Sequence, residues 1–322
     1  MNYSMASAPG KCILFGEHAV VYGFPALSMA IDILSYCKIS EINQNGIFLH
    51  LENYNYNEKF ADINDLYSKI PQKFKQIALG IKLISEKYKI IIDKIKIKIS
   101  SELWAESGLG SSASSSIALL GALNDFYKLN LEKEDISNLA FEMEKHVHGK
   151  PSGIDNTTCS RGGLIFYENH DFQRFEFLNQ FKILIIYTGK THDTKEAIEN
   201  VKKFCDEEPK LSRELFNKIK IVTKKGFDNL KKGNMIEIGN LMNLNQQILN
   251  QLRLSTADIE KIVNISNSNN AYGSKLTGAG MGGCVISIGE ITDLEIIQKK
   301  LKIEGFNSII TSINNQGVAY GR

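Results

Sequence analysis

Arginine is scarce in this chain. Only five of the 38 basic residues are Arg (161, 174, 213, 253 and 322), against 36 acidic residues, and the formal charge is +2. The guanidinium fork is the usual reader of phosphates and base edges. The Lys residues are interspersed with Asp and Glu and form no stripe. Both features argue against nucleic acid as a partner. The five Cys, at 12, 37, 159, 205 and 284, are odd in number and contain no CxxC pair. That pattern argues against a disulfide framework or a zinc cluster. No apolar run approaches the ~18 residues that cross a bilayer, and residues 1–9 lack the basic-then-apolar pattern of a secretory signal. These absences predict a soluble, cytoplasmic protein without a membrane partner. Proline is equally sparse, at five in 322 residues, and 43% hydrophobic with 23% charged residues is globular composition. The length suits one large domain or two ordinary ones.

Periodicity supplies the elements. Ile95, Ile97 and Ile99 alternate with Lys94, Lys96 and Lys98, as in a strand with one wet face. A Gly/Ser-rich turn covers 107–116, after which Ile117, Leu120 and Leu123 recur at helical spacing. A second helix is predicted over 134–146, with Ile136, Leu139, Ala140 and Met143 as its buried stripe. Residues 181–187 read as a strand and 195–254 as mainly helical. Ser255-Thr-Ala-Asp258 resembles a capping box, and 284–288 reads as a strand after a glycine loop at 275–283. A domain boundary near residue 180 follows, where strand-rich sequence gives way to helical sequence.

Gly108-Leu-Gly110-Ser111-Ser112-Ala113 suits an anion. Glycines let the backbone turn with its N–H groups exposed, hydroxyls add donors or a metal ligand, and a helix N-terminus follows. A Ser-capped helix after a glycine turn is the plainer alternative. No GxxxxGK[ST] loop occurs. Gly278-Ala-Gly280-Met-Gly-Gly283 matches GxGxxG in form, but it runs into a strand where the dinucleotide fingerprint opens a helix. The HRD and DFG strings of protein kinases are absent. What remains is a loop that approaches a small substrate, or a tight structural hairpin.

Glu144 lies at the margin of the helical stripe and can point inward, where a hard oxygen suits Mg²⁺. Asp155, in Pro151-Ser-Gly-Ile-Asp155-Asn156, can serve as a base toward a hydroxyl. Taken singly, the two equally fit a surface Glu and a turn-capping Asp. Lys11 precedes an apolar strand, and such a Lys is usually solvated. His18 by itself reads as a structural histidine. His146 and His148, two apart, make a poor zinc pair.

Together, PGKCILFGEHAVVYG (9–23), GLGSSASSS (108–116) and KLTGAGMGGC (275–284) resemble the three signature motifs of the GHMP small-molecule kinases, in order and over essentially the whole chain. GEHAVVYG (16–23) and HGKPSGIDN (148–156) are most similar to the mevalonate kinase family. The resemblance implies an N-terminal α/β domain (1–180) with a left-handed βαβ unit. A ferredoxin-like α+β domain (181–322) follows, with the active site in the cleft between the two. It implies transfer of the γ-phosphoryl group of ATP to the primary hydroxyl of mevalonate. Asp155 would be the base and Lys11 its paired cation, with Ser112 and Glu144 holding Mg²⁺. Ser107, Gly108, Leu109, Gly110, Ser111 and Ser112 would cradle the phosphates. His18, Thr194, Gly278 and Ala279 would line the substrate pocket. Many members of the family are homodimers. Two alternatives keep the fold: another acceptor, such as phosphomevalonate or a sugar, or a non-catalytic metabolite sensor. A phosphorylated acceptor calls for extra cations that this Arg-poor chain barely offers, and a sensor is expected to lose Lys11, Glu144 or Asp155. The chain departs from the family pattern at Trp104, Glu106 and Met281, and at His192, where relatives often carry Arg.

Overall fold

The computed structural model describes residues 2–148, 151–169, 171–177, 181–191 and 194–321, with backbone alone at 147, 148, 194 and 195. The chain begins with β1 (Tyr3–Phe15), β2 (Ala26–Glu41), β3 (Ile47–Leu51), β4 (Tyr56–Phe60), α1 (Ile63–Lys69) and α2 (Lys75–Tyr88). β5 (Ile95–Ser101), α3 (Ser111–Tyr127), α4 (Lys133–His148), α5 (Ile154–Arg161), β6 (Leu164–Glu168) and β7 (Asp171–Phe175) follow. Next come β8 (Ile183–Tyr187), α6 (Thr194–Glu207), α7 (Pro209–Lys232), α8 (Met235–Gln251) and α9 (Ala257–Asn267). The remaining elements are β9 (Gly273–Thr277), β10 (Cys284–Ile288), α10 (Ile291–Ile303), β11 (Asn307–Thr311) and β12 (Ala319–Gly321).

Two sheets carry these elements. The larger has the order β12-β1-β2-β5-β3-β4, with β6 also paired to β2 and β7 to β6. β3 and β5 run parallel across the connection through β4, α1 and α2. The smaller sheet has the order β11-β8-β10-β9 and is antiparallel throughout. In chain order that is fourth, first, third, second, with helices after its first and third strands, which is the ferredoxin-like arrangement. β12 leaves the second half and pairs with β1, Met5 opposite Gly321.

Burial follows the sequence periods. Ile95, Ile97 and Ile99 of β5 are buried and Lys96 is exposed. β1 alternates over its first residues and is then buried from Ala8 to Phe15. That change marks where β1 passes into the core shared by both sheets. Cys12, Leu14 and Phe15 there join one cluster with Leu184, Ile186, Leu276 and Val285. A second core fills the space between the larger sheet and α2, α3 and α4, through Ile39, Leu49, Ile97, Ile81, Leu120 and Met143. α3 is buried on nearly every face. Gly121 permits this, since a Cβ there would lie 2.9 Å from Val318 and 3.1 Å from Ala6.

Three local expectations change. Thr256, not Ser255, caps α9, its Oγ1 accepting from Ile259 N at 3.3 Å. The third helical position is then Ile259, so no reciprocal acid completes a box, and Ser255 bonds Glu260 and Gln246 instead. Lys275–Thr277 of the glycine loop belong to β9, which leaves 278–283 as a hairpin turn into β10. Lys11 lies within β1, buried, where a solvated strand start was expected. Among the described residues no helix is long and apolar enough to cross a membrane.

Candidate active site

Pro9 has no N–H for the β ladder, and the pairing of β1 with β2 shifts register between Pro9 and Gly10. The irregularity comes directly before Lys11. Gly10 makes room for it, because a Cβ there would sit 2.5 Å from Leu103 and 3.0 Å from the Leu109 carbonyl oxygen. Lys11 N donates to that same oxygen at 2.8 Å, which ties the strand to the glycine loop. Its side chain is 5% exposed, and Nζ lies 3.0 Å from Asp155 Oδ1. Burial by itself lowers the Lys11 pKa, but the charge and hydrogen bond of Asp155 outweigh it and the net shift is upward. The ammonium therefore stays charged. Asp155 stands in the first turn of α5, after Gly153 in the left-handed region, and keeps 31% of its side chain exposed. Asn156 secures that turn, donating from Nδ2 to Ser137 O and Ser137 Oγ, each at 3.0 Å.

The glycine loop closes against Lys11. Gly108 and Gly110 have φ of 83° and 72°, and a Cβ on Gly110 would come within 2.9 Å of Lys11 Cγ. Ser107 is buried and donates from Oγ to Trp104 O at 2.7 Å, while Leu109 is a buried packing residue. Ser114 N donates to Gly110 O at 2.8 Å, closing the first turn of α3, and Ser114 Oγ anchors the helix to Ala8 O. The N–H groups of Ser111, Ser112 and Ala113 precede that first helical bond, so they point from the positive end of the helix without intrahelical acceptors. Ser112 donates from Oγ to Gln76 Oε1 at 2.7 Å, which leaves the lone pairs of Oγ as hard-oxygen donors.

Glu144, on α4, does point inward. Its Oε2 is buried without a hydrogen-bond partner. Burial first, and the charge of Asp155 second, push its carboxyl up to about 8, against a smaller pull from Lys11. A buried carboxylate oxygen lacking a donor is what a hard divalent cation satisfies. Glu144 and Ser112 thus fit Mg²⁺ by donor chemistry.

The smaller sheet supplies the opposite wall. Gly278, at φ 83°, lets the 278–283 turn approach the glycine loop, since a Cβ there would lie 3.3 Å from Gly108 Cα. His18 has φ 58° and is 8% exposed, with Nε2 2.7 Å from Ala279 O. A carbonyl only accepts, so Nε2 carries the proton. His18 and Ala279 therefore engage each other. Thr277 Oγ1 accepts from Ile13 N at 2.8 Å and donates to Ile13 O at 3.0 Å. Thr194 opens α6, but its side chain lies outside the described residues, as does His192. Met281 takes φ 59°, donates its N–H to Leu254 O, and accepts from Asn200 Nδ2 at 3.1 Å. Trp104 stacks on Tyr187 with centroids 5.4 Å apart, and Glu106 is exposed at φ 52°.

Sequence reasoning passed over Gln76, Asn156 as an anchor, and a buried ion pair between Glu17 and Lys275. The pair left a trace as an acid and a Lys in the first and third motif segments, and Asn156 as the residue after Asp155.

Comparison with known proteins fits this geometry. Residues 74–163 match the family model for the GHMP kinases N terminal domain, and residues 227–307 match that for GHMP kinases C terminal. The chain is 33% identical to the mevalonate kinase of Pyrococcus furiosus, over 98% of this chain and 97% of that one. The crystal structure of the Methanococcus jannaschii mevalonate kinase superposes with a TM-score of 0.87 at 33% identity, covering 98% of this chain and 99% of the other. The L. major mevalonate kinase in complex with R-mevalonate gives a TM-score of 0.83 at 28% identity, over 98% and 96% of the two chains. With both halves matched and the likeness held end to end, the chain belongs to the GHMP kinases and, within them, to the mevalonate kinase family.

Proposed function

We propose that this chain transfers the γ-phosphoryl group of ATP to the primary hydroxyl of mevalonate, yielding 5-phosphomevalonate and ADP. The observation that carries the reading is the Lys11–Asp155 pair, 3.0 Å apart, with the cation buried and the carboxylate partly open beside the glycine loop. An alcohol is a weak nucleophile at neutral pH, and a partly exposed carboxylate can take its proton as the O–P bond forms. Asp155 fills that role. Lys11 is buried beside it, so its charge acts on the developing alkoxide and on the transferred group. The N–H groups at the start of α3 and the glycine backbone of 107–112 hold the phosphates, which explains how phosphate is handled with so little Arg. Glu144 and Ser112 hold Mg²⁺, which when bound neutralises charge on the phosphates. His18, Gly278, Ala279 and Thr194 belong to the acceptor side. Phosphoryl transfer depends on placement and charge neutralisation more than on covalent chemistry, and this set of groups supplies both.

The test is an acceptor panel with ATP and Mg²⁺. Mevalonate is expected to turn over far faster than phosphomevalonate, galactose or homoserine. A panel won by any other acceptor overturns the substrate assignment.

A further inference from the structure

Glu17 and Lys275 form an ion pair in which both side chains are 0% exposed. The second oxygen of Glu17 accepts from Asn245 Nδ2 at 3.1 Å, and Lys275 Nζ also donates to Leu276 O at 2.6 Å. The reaction proposed above uses none of these groups. Removing two charges from water costs several kcal/mol per ion, and apolar side chains of similar volume would pack as well. Stability alone therefore gives no reason for the pair to be there.

Its location does. Glu17 adjoins His18 just past the end of β1, and Lys275 lies in β9 two residues before Thr277. Asn245 comes from α8, so three elements far apart in sequence converge on one carboxylate. Three contacts then link the end of β1 to the β9–β10 hairpin: Glu17 to Lys275, Ile13 to Thr277, and His18 to Ala279. Apolar contacts there would tolerate sliding, whereas charged hydrogen bonds fix distance and direction. Burial lowers the Lys275 pKa, and the charge of Glu17 opposes that shift.

We propose that Glu17, Lys275 and Asn245 are positioning residues that hold His18 and the 278–283 turn in register with the Lys11–Asp155 pair. This inference rests on the phosphotransfer reading and assigns the three residues to the acceptor side of the site, not the nucleotide side.

The test is the double variant Glu17→Gln/Lys275→Met, which removes both charges and strands neither. The expected protein is folded, melts within about 5 °C of wild type and binds ATP within about two-fold. Its kcat/KM for the acceptor falls by about 30-fold or more. Amide hydrogen exchange is expected to quicken at 16–23 and 278–283 but not at 107–116. Asn245→Ala keeps the ion pair and removes one bond to it, with an expected 3- to 10-fold loss in acceptor kcat/KM, roughly one weakened hydrogen bond; it decides the question if the double variant does not fold. Unchanged acceptor kinetics and exchange in a folded variant overturn the proposal, as does a lowered melting temperature with normal kinetics. Equal losses for nucleotide and acceptor overturn the acceptor-side assignment. If the wild type leaves mevalonate untouched, the substrate reading fails by itself, and the exchange pattern still decides the positioning role.

Discussion

Replacing Glu144 with Gln should make the ligand-free protein more stable and the enzyme far less active. The structure sets the size of the first effect. Burial and the Asp155 charge push the Glu144 carboxyl up to about 8, whereas an unfolded Glu titrates near ~4.3. Between those two values the folded state holds a proton that the unfolded chain has released. Stability from this group is therefore greatest below about pH 4 and falls as pH rises through the window. It levels off above about pH 8, where the folded protein carries the buried charge. At 1.36 kcal/mol per unit the span is about 3 to 5 kcal/mol. Gln is neutral throughout and lacks this slope.

The assay is urea unfolding of wild type and Glu144→Gln from pH 5 to 8.5 without metal or nucleotide. The variant should gain on the wild type up to about pH 8 and then hold its advantage, and a difference that stays constant across the whole range refutes the reasoning. Kinetics supply the counterpart. Loss of this carboxylate should lower kcat by about 10²- to 10³-fold, the usual cost of removing one preorganised electrostatic group. Binding of Mg²⁺ and ATP at pH 7 should release close to one proton more from the wild type than from the variant, read from the dependence of binding enthalpy on buffer.

Asp155→Asn should lower kcat by about 10²- to 10⁴-fold while ATP affinity changes little, and near-normal single-turnover rates would remove Asp155 as the base. Gly110→Ala meets two penalties, a left-handed φ of 72° costing about 1 to 2 kcal/mol and a Cβ at 2.9 Å from Lys11 Cγ. Its kcat should fall in fully folded protein, and an unaltered kcat would mean that the loop does not set the position of Lys11. Trp104 is the only Trp in the chain and stacks on Tyr187 near the glycine loop. Saturation with ATP should change its fluorescence, and a flat titration places the stack beyond the reach of the nucleotide.

Much of the architecture was legible because its signals are local. The alternation of Ile95, Ile97 and Ile99 specified β5, the stripe from Ile136 to Met143 specified α4, and glycines bounded β10. Capping at 255–258 failed on the same scale. Which hydroxyl faces the helix depends on the chain path into α9, and Ser255 was drawn away by Glu260 and Gln246. The pairing of Lys11 with Asp155 is as the family resemblance implies, but the burial of Lys11 has a longer-range cause. Its strand looks like any strand entered from solvent, until the glycine loop and α5 close against it.

By itself, then, the sequence determined the inventory: a loop of glycines and serines before a helix, two carboxylates eleven residues apart, a Lys ahead of an apolar run, and almost no Arg. Those residue types set what chemistry was available, and their order set the family. Tertiary structure decided how each group behaves. Glu144 tends to hold its proton and Lys11 stays charged because desolvation and neighbouring charge belong to the packed site, not to the residue. Glu17 found its partner 258 residues away only because two sheets meet there, a contact that no local pattern encodes.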